Sequence, residues 1–220
     1  MNIKSNHGKP GKNAKKPVRN AKKARLKGKH TEIVCILDRS GSMSAIRNDT
    51  IGGFNEFLAR QKKVAGEARL TLVLFDDQYE VVHSGVNLKA VAPLTEDTFV
   101  PRGTTAMLDA IGRTLSTLVD RIAKASPSER PGKVIIAILT DGQENASRKY
   151  NRQTIFDMIA KLRAKRGGEF VFLAANQDAM AEAESLSIDP ESSLEFEPDA
   201  EGTRNAFRGM SNIFTGKRRQ

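Results

Sequence analysis

The chain has 220 residues, 39% of them hydrophobic, and a net charge of +10. That size suits one domain with a short extension, and no apolar run approaches the roughly 20 residues that cross a bilayer. A lone cysteine, Cys35, excludes an intrachain disulfide.

Residues 1–30 come first, with 11 Lys and Arg and no Asp or Glu, so the other 25 basic residues face 26 acidic ones. The basicity therefore belongs to this arm, and the body is nearly neutral. The arm lacks the apolar residues to bury a core and is expected to be a disordered tail. It has no apolar signal-peptide core, which points to a cytoplasmic protein. Such an arm is either a solubilising extension or a non-specific anchor for nucleic acid or another polyanion, since no aromatic residue is interleaved for base stacking.

Regular patterning starts at Thr31. The run EIVCIL predicts a strand buried on both faces. Ile51, Phe54, Phe57 and Leu58 follow at helical spacing. RLTLVLF and YEVVHSG, separated by DDQ, predict a hairpin. A loop, APLTEDTFVPRGTT, leads to a helix striped by Leu108, Ile111, Leu115, Leu118 and Ile122. KVIIAILT is a second buried strand and, like the first, ends at an aspartate, Asp141. Ile155, Met158, Ile159 and Leu162 mark another helix, EFVFLAA a third buried strand, and Ala181–Leu186 a short helix. SLEFEP predicts an edge strand; Phe207, Met210, Ile213 and Phe214 line a closing helix, and residues 216–220 form a basic end. The expected fold is α/β: a Rossmann-like, doubly wound, mainly parallel sheet with one antiparallel edge strand and helices on both faces. Ligands of such folds bind at the carboxyl ends of the strands, where Asp38 and Asp141 fall.

Three loops meet at that rim. They offer Asp38, Ser40 and Ser42; then Thr104 and Thr105; then Asp141. All are hard oxygen donors, suited to magnesium, manganese or calcium, whereas zinc favours His and Cys. Taken singly, each aspartate could be a helix N-cap and each Ser or Thr a turn former. Capping alone does not require three loops to supply only oxygen. Ser44 is expected to start or cap the following helix, and Asp49, Asp76, Asp77 and Asp109 to be solvated or capping residues.

DRSGS at Asp38–Ser42, GTTAMLDAI at Gly103–Ile111 and TDG at Thr140–Gly142 together resemble a von Willebrand factor type A domain over about residues 31–215. Its metal-ion-dependent adhesion site has the form D-x-S-x-S, then T, then D. The wording of these segments is closer to bacterial and phage stand-alone domains than to integrin inserts. The resemblance implies Ser40 and Ser42 as direct metal ligands. It implies Thr105 as the second-loop ligand, with Thr104 in place of a family glycine. Asp38 and Asp141 would hold metal-bound waters or coordinate directly. A cation held by neutral hydroxyls keeps much of its charge and seeks an anionic ligand, in the family an Asp or Glu of a protein partner.

The expected function is therefore a metal-dependent protein-interaction module, not an enzyme. An aspartyl-phosphate phosphatase would have a second Asp where Ser40 stands. His7 and His30 belong with the tail, His83 with the hairpin, and no G-x-S-x-G or G-x-x-x-x-G-K-[ST] occurs. A magnesium-dependent hydrolase lacks an evident general base. The remaining alternative is a nucleic-acid-associated adaptor that works through its tail.

Overall fold

The computed structural model describes residues 28–175 and 178–220. Six strands form one sheet: β1 (Thr31–Asp38), β2 (Ala68–Phe75), β3 (Tyr79–Asn87), β4 (Lys133–Thr140), β5 (Glu169–Ala175) and β6 (Ser193–Phe196). Their order is β3-β2-β1-β4-β5-β6, and only β3 runs antiparallel to its neighbour. Five helices flank the sheet: α1 (Arg47–Lys63), α2 (Met107–Lys124), α3 (Arg152–Arg166), α4 (Ala179–Ser185) and α5 (Ala200–Arg219). The antiparallel strand at one edge and the helices on both faces match the expected α/β class.

The alternation of side chains along a strand divides the core in two. Ile33, Cys35 and Leu37 of β1 face α1 and α5, where Phe54, Phe57, Phe207, Met210 and Phe214 are buried. Val34 and Ile36 point the other way, toward Ile111, Leu115 and Leu118 of α2 and Ile155 and Ile159 of α3. Both faces of β1 are thus covered, which is why its sequence is apolar without interruption from Ile33 to Leu37. Burial also pushes the Cys35 thiol above its ordinary pKa, so the residue serves as a small core side chain.

Strand order reverses between β1 and β4, with β2 on one side and β5 on the other. A crevice opens there at the carboxyl ends of the strands. The helices that follow β1 and β4, together with α2, begin at this apical end and finish at the opposite, basal end.

Several local expectations change. The residues DRSGSMS do not pass straight into α1. Gly41–Ile46 forms a 3-10 turn in which the Ser44 hydroxyl donates to the Gly41 carbonyl at 2.7 Å, so Ser44 does not cap α1. His30 does not belong with the tail: it is buried, and its carbonyl accepts from the Gly132 amide at 2.9 Å. The basic residues 216–219 are the last turn of α5, where Arg218 donates to the carbonyls of Gln61, Val64 and Gly66. The tail reading for residues 1–27 lies outside the described residues.

Phe57 is central to the packing of α5 on α1, since its ring meets Phe214 edge-on at 5.3 Å and Phe54 at 6.2 Å. Phe57→Ala should cost about 3–5 kcal/mol by leaving a cavity between the two helices. Chemical denaturation gives the number, and a loss below ~1 kcal/mol would mean that the helices close over the gap.

Candidate functional site

Asp38 is the last residue of β1 and is fully buried. Two donors fix its carboxylate. The Ser40 amide bonds Oδ1 at 2.7 Å, and the Thr140 hydroxyl, from the end of β4, bonds Oδ2 at 2.6 Å. The same tight turn sends the Ser40 and Ser42 side chains back over the strand ends. Their oxygens lie 3.1 Å apart, and the Ser42 hydroxyl donates to Asp141 Oδ1 at 2.6 Å.

Thr105 comes from the loop before α2 and is buried at the same place. Gly142 shows how close the loops are: a Cβ built there would sit 3.5 Å from both Ser42 Oγ and Thr105 Oγ1. All five sequence-predicted residues, Asp38, Ser40, Ser42, Thr105 and Asp141, are thereby brought to one crevice. Thr104 is exposed beside it. The backbone needs a left-handed residue only at Gly103, with φ of 65°, so a threonine at 104 fits without strain.

Sequence reasoning missed the residues that hold Thr105 in place. The Asn145 side chain accepts from the Thr105 amide at 2.9 Å, and the amides of Asn145 and Ala146 donate back to its carbonyl. Glu144 accepts from the Leu108 amide in the first turn of α2. Asp109, expected to be solvated or a cap, accepts from the backbone amides of Arg148, Lys149 and Tyr150 and so clamps the whole 143–150 loop. Burial raises the Asp109 pKa, but the three amides outweigh it and hold the carboxyl below its ordinary range. The run QEN after Asp141 was the available signal, since three consecutive polar residues beyond a strand end are free to bond a neighbouring loop.

Asp76 also departs from expectation. It is fully buried and accepts from Arg39 Nε at 3.0 Å and Arg102 Nε at 2.9 Å on one oxygen. Arg39 lies between Asp38 and Ser40, and Arg102 precedes Gly103, so one carboxylate ties together the first and second loops.

The electrostatics of Asp38 and Asp141 are unlike those of Asp76. Both are buried, and neither forms an ion pair among the described residues. Burial pushes the Asp38 carboxyl up to about 6, and burial raises Asp141 as well. Two carboxylates facing each other's loops with no cationic side chain between them leave charge uncompensated. The nearby hydroxyls add oxygen and no positive charge. The donor set fits a hard divalent cation, which would supply that charge. No group of three His, Cys, Asp or Glu side chains gathers among the described residues, so hydroxyls are integral to any such site.

No protein-family model matches the sequence, and no curated protein matches it. Solved structures do. Proximal thread matrix protein 1 from the mussel byssus superposes with a TM-score of 0.59 at 16% identity, covering 85% of this chain and 46% of its own. The vWF domain of the type V pili tip protein Mfa5 from Porphyromonas gingivalis gives 0.60 at 12% identity, covering 87% of this chain and 97% of that domain. The pilus adhesin SpaC from Lactobacillus rhamnosus GG, in its open conformation, gives 0.63 at 14% identity, covering 86% of this chain and 30% of the adhesin. The chain spans just under half the length of the mussel protein. It has the von Willebrand factor type A fold.

The raised carboxyl has a measurable consequence. A folded-state pKa near 6 against about 3.9 unfolded means the folded state holds the proton more tightly. Stability from this group is full below about pH 4 and is lost as pH rises through 6, a cost of up to about 3 kcal/mol. In a chelating buffer the melting temperature should therefore rise when pH falls from 7.5 to 5.5. Asp38→Asn should raise it at pH 7.5 and flatten that part of the profile. A wild-type profile that is already flat would show that the carboxylate carries no penalty.

Proposed function

We propose that this domain is a metal-dependent protein-interaction module. A divalent cation held by Asp38, Ser40, Ser42, Thr105 and Asp141 binds the carboxylate of an Asp or Glu on a protein partner. The observation that carries the reading is the pair of buried carboxylates without a cationic side chain, set against three hydroxyls in one crevice. Hard oxygen donors favour Mg2+, with Mn2+ and Ca2+ as substitutes. The mussel protein has also been solved with a zinc-occupied MIDAS motif, which supports a divalent ion at this rim.

The residues favour recognition over catalysis. The serine hydroxyls are engaged with each other and with Asp141, and neither described histidine lies at the rim: His83 is on β3 and His30 at the start of β1. General-base chemistry on a metal-bound water has no evident base. The adhesive setting named for the SpaC neighbour fits a binding role. No described helix is long and apolar enough to cross a membrane.

Calorimetry with MgCl2 and MnCl2 should show one site. Ser40→Ala should weaken it by on the order of 10–100-fold, with little change in melting temperature in chelator. Partner capture should require the cation, and the partner should tighten cation binding by the factor that the cation tightens the partner. Thr105→Ala should damage partner binding more than binding of the bare cation. Unchanged Mg2+ affinity in both Asp38→Ala and Ser40→Ala would overturn the site.

A further inference from the structure

The five rim residues leave one cleft of the apical end unused. It has a volume of about 830 Å³ and lies between the β2–β3 turn, the first two turns of α2 and the 143–150 loop. Thr105 is buried at the rim, while its two neighbours, Thr104 and Ala106, line the cleft. Asn145, whose side chain accepts from the Thr105 amide, lines it too. The cleft therefore begins where the metal crevice ends, and its size is that of a ligand site.

Its wall is aromatic and cationic. Tyr79 and Tyr150 line it, and both are half-buried against the core under α2. The Tyr79 hydroxyl is fixed by Thr114 Oγ1 at 3.1 Å, and the Tyr150 ring lies against Gly112. The Arg113 guanidinium stacks over Tyr79, 4.2 Å from the ring centroid. Stacking fixes the plane of the guanidinium and leaves its N–H edge open to an anion. Helical side chains lean toward the helix N-terminus, here the end next to Thr105. Arg148 and Lys149 line the same cleft. All three cations are exposed and take part in no ion pair among the described residues. Two acids also line the cleft. Asp109 has its charge answered by three backbone amides, and Asp77 lies against Gly103 on the rim side. Positive charge is therefore in excess around Arg113.

We infer that this cleft receives a second acidic side chain of the same partner, so that the domain recognises a peptide segment with two carboxylates. One carboxylate binds the cation, and the other pairs with Arg113, flanked by Arg148 and Lys149. The inference rests on the carboxylate reading of the rim and adds what else the partner must carry. Helix geometry sets the spacing. Arg113 is six residues beyond Met107, the first residue of α2, which is about 9 Å along the axis. An extended segment covers that distance in about three residues. The two acids are therefore two to four positions apart. A lone small anion is a poorer match, because it leaves the two tyrosines uncovered, whereas a peptide lies across them. Arg and Tyr are also the residue types that anchor protein interfaces.

The test uses the full chain and fluorescein-labelled Gly-Ser peptides that carry either one Asp or two Asp at stepped separations. Binding is followed by anisotropy in MgCl2 and again in EDTA. Peptides with acids two to four positions apart should bind about threefold to tenfold more tightly than the one-Asp peptide. Arg113→Gln should erase that gain, so that one-Asp and two-Asp peptides bind alike. Arg113→Lys should restore part of it, because the charge returns without the planar fork. Lys124→Gln removes a charge at the far end of the same helix and should keep the gain. No gain from the second Asp, a gain equal at every separation, or one that survives Arg113→Gln would overturn the cleft as the second site. Failure of the rim has a different signature. The one-Asp peptide then binds no better in MgCl2 than in EDTA, and this inference falls with its anchor.

Discussion

The hydrogen bond from Thr140 to Asp38 is the constraint on which the apical end depends. It crosses from β4 to β1, one residue beyond the last paired positions, Leu37 and Leu139. It holds a carboxylate that has no other place to go, since Asp38 is fully buried at the centre of the sheet. The Ser40 amide completes the grip on the other oxygen and starts the turn that returns Ser40 and Ser42 to the crevice. Parallel pairing makes this arrangement possible. Adjacent parallel strands end at the same level, so the residues that follow them are neighbours in space. In an antiparallel pair the same two aspartates would lie at opposite ends.

The crevice is then stiffened from both sides by carboxylates that bind no ion. Asp76 joins the β1 loop to the loop before α2 through Arg39 and Arg102, and Arg39 is buried along with it. Arg39 also pairs with Glu80 at the start of β3. Across the crevice, Asp109 and Glu144 gather six backbone amides from the 143–150 loop and the start of α2. These four acids have their negative charge answered by guanidinium groups or amides. Asp38 is answered by one amide and one hydroxyl and Asp141 by one hydroxyl, against three amides each for Asp109 and Glu144 and a guanidinium for Asp76, so Asp38 and Asp141 hold the charge that the protein compensates least.

Much of this was legible in the sequence because the physics behind it is local. Continuous apolar runs in β1, β4 and β5 report strands covered on both faces, and D-x-S-x-S reports its own turn. The five rim residues sit next to those runs, so their convergence follows from strand order. The supporting residues were not legible for the opposite reason. Asp76 is defined by Arg39, 37 positions away, and Asp109 by amides 39 to 41 positions away. Composition says that a carboxylate is costly to bury, not which distant partner removes the cost. Ser44 was misread within a single turn. An N-cap and a 3-10 turn draw on the same hydroxyl, and only the backbone path decides between them.

The topology that makes the crevice also makes the face opposite to it. Each helix beside a parallel strand must start where ligand-bearing loops are and finish where strands begin. Cations favoured at helix C-termini therefore accumulate at one end, and oxygen donors at the other. The eight residues of β1 separate the two ends by about 26 Å. Physiological salt screens exposed charges beyond about 8 Å. A cation at the apical crevice is therefore electrostatically invisible at the basal face. The sheet gives no movable element between them, since its central strands are buried and paired along their whole length.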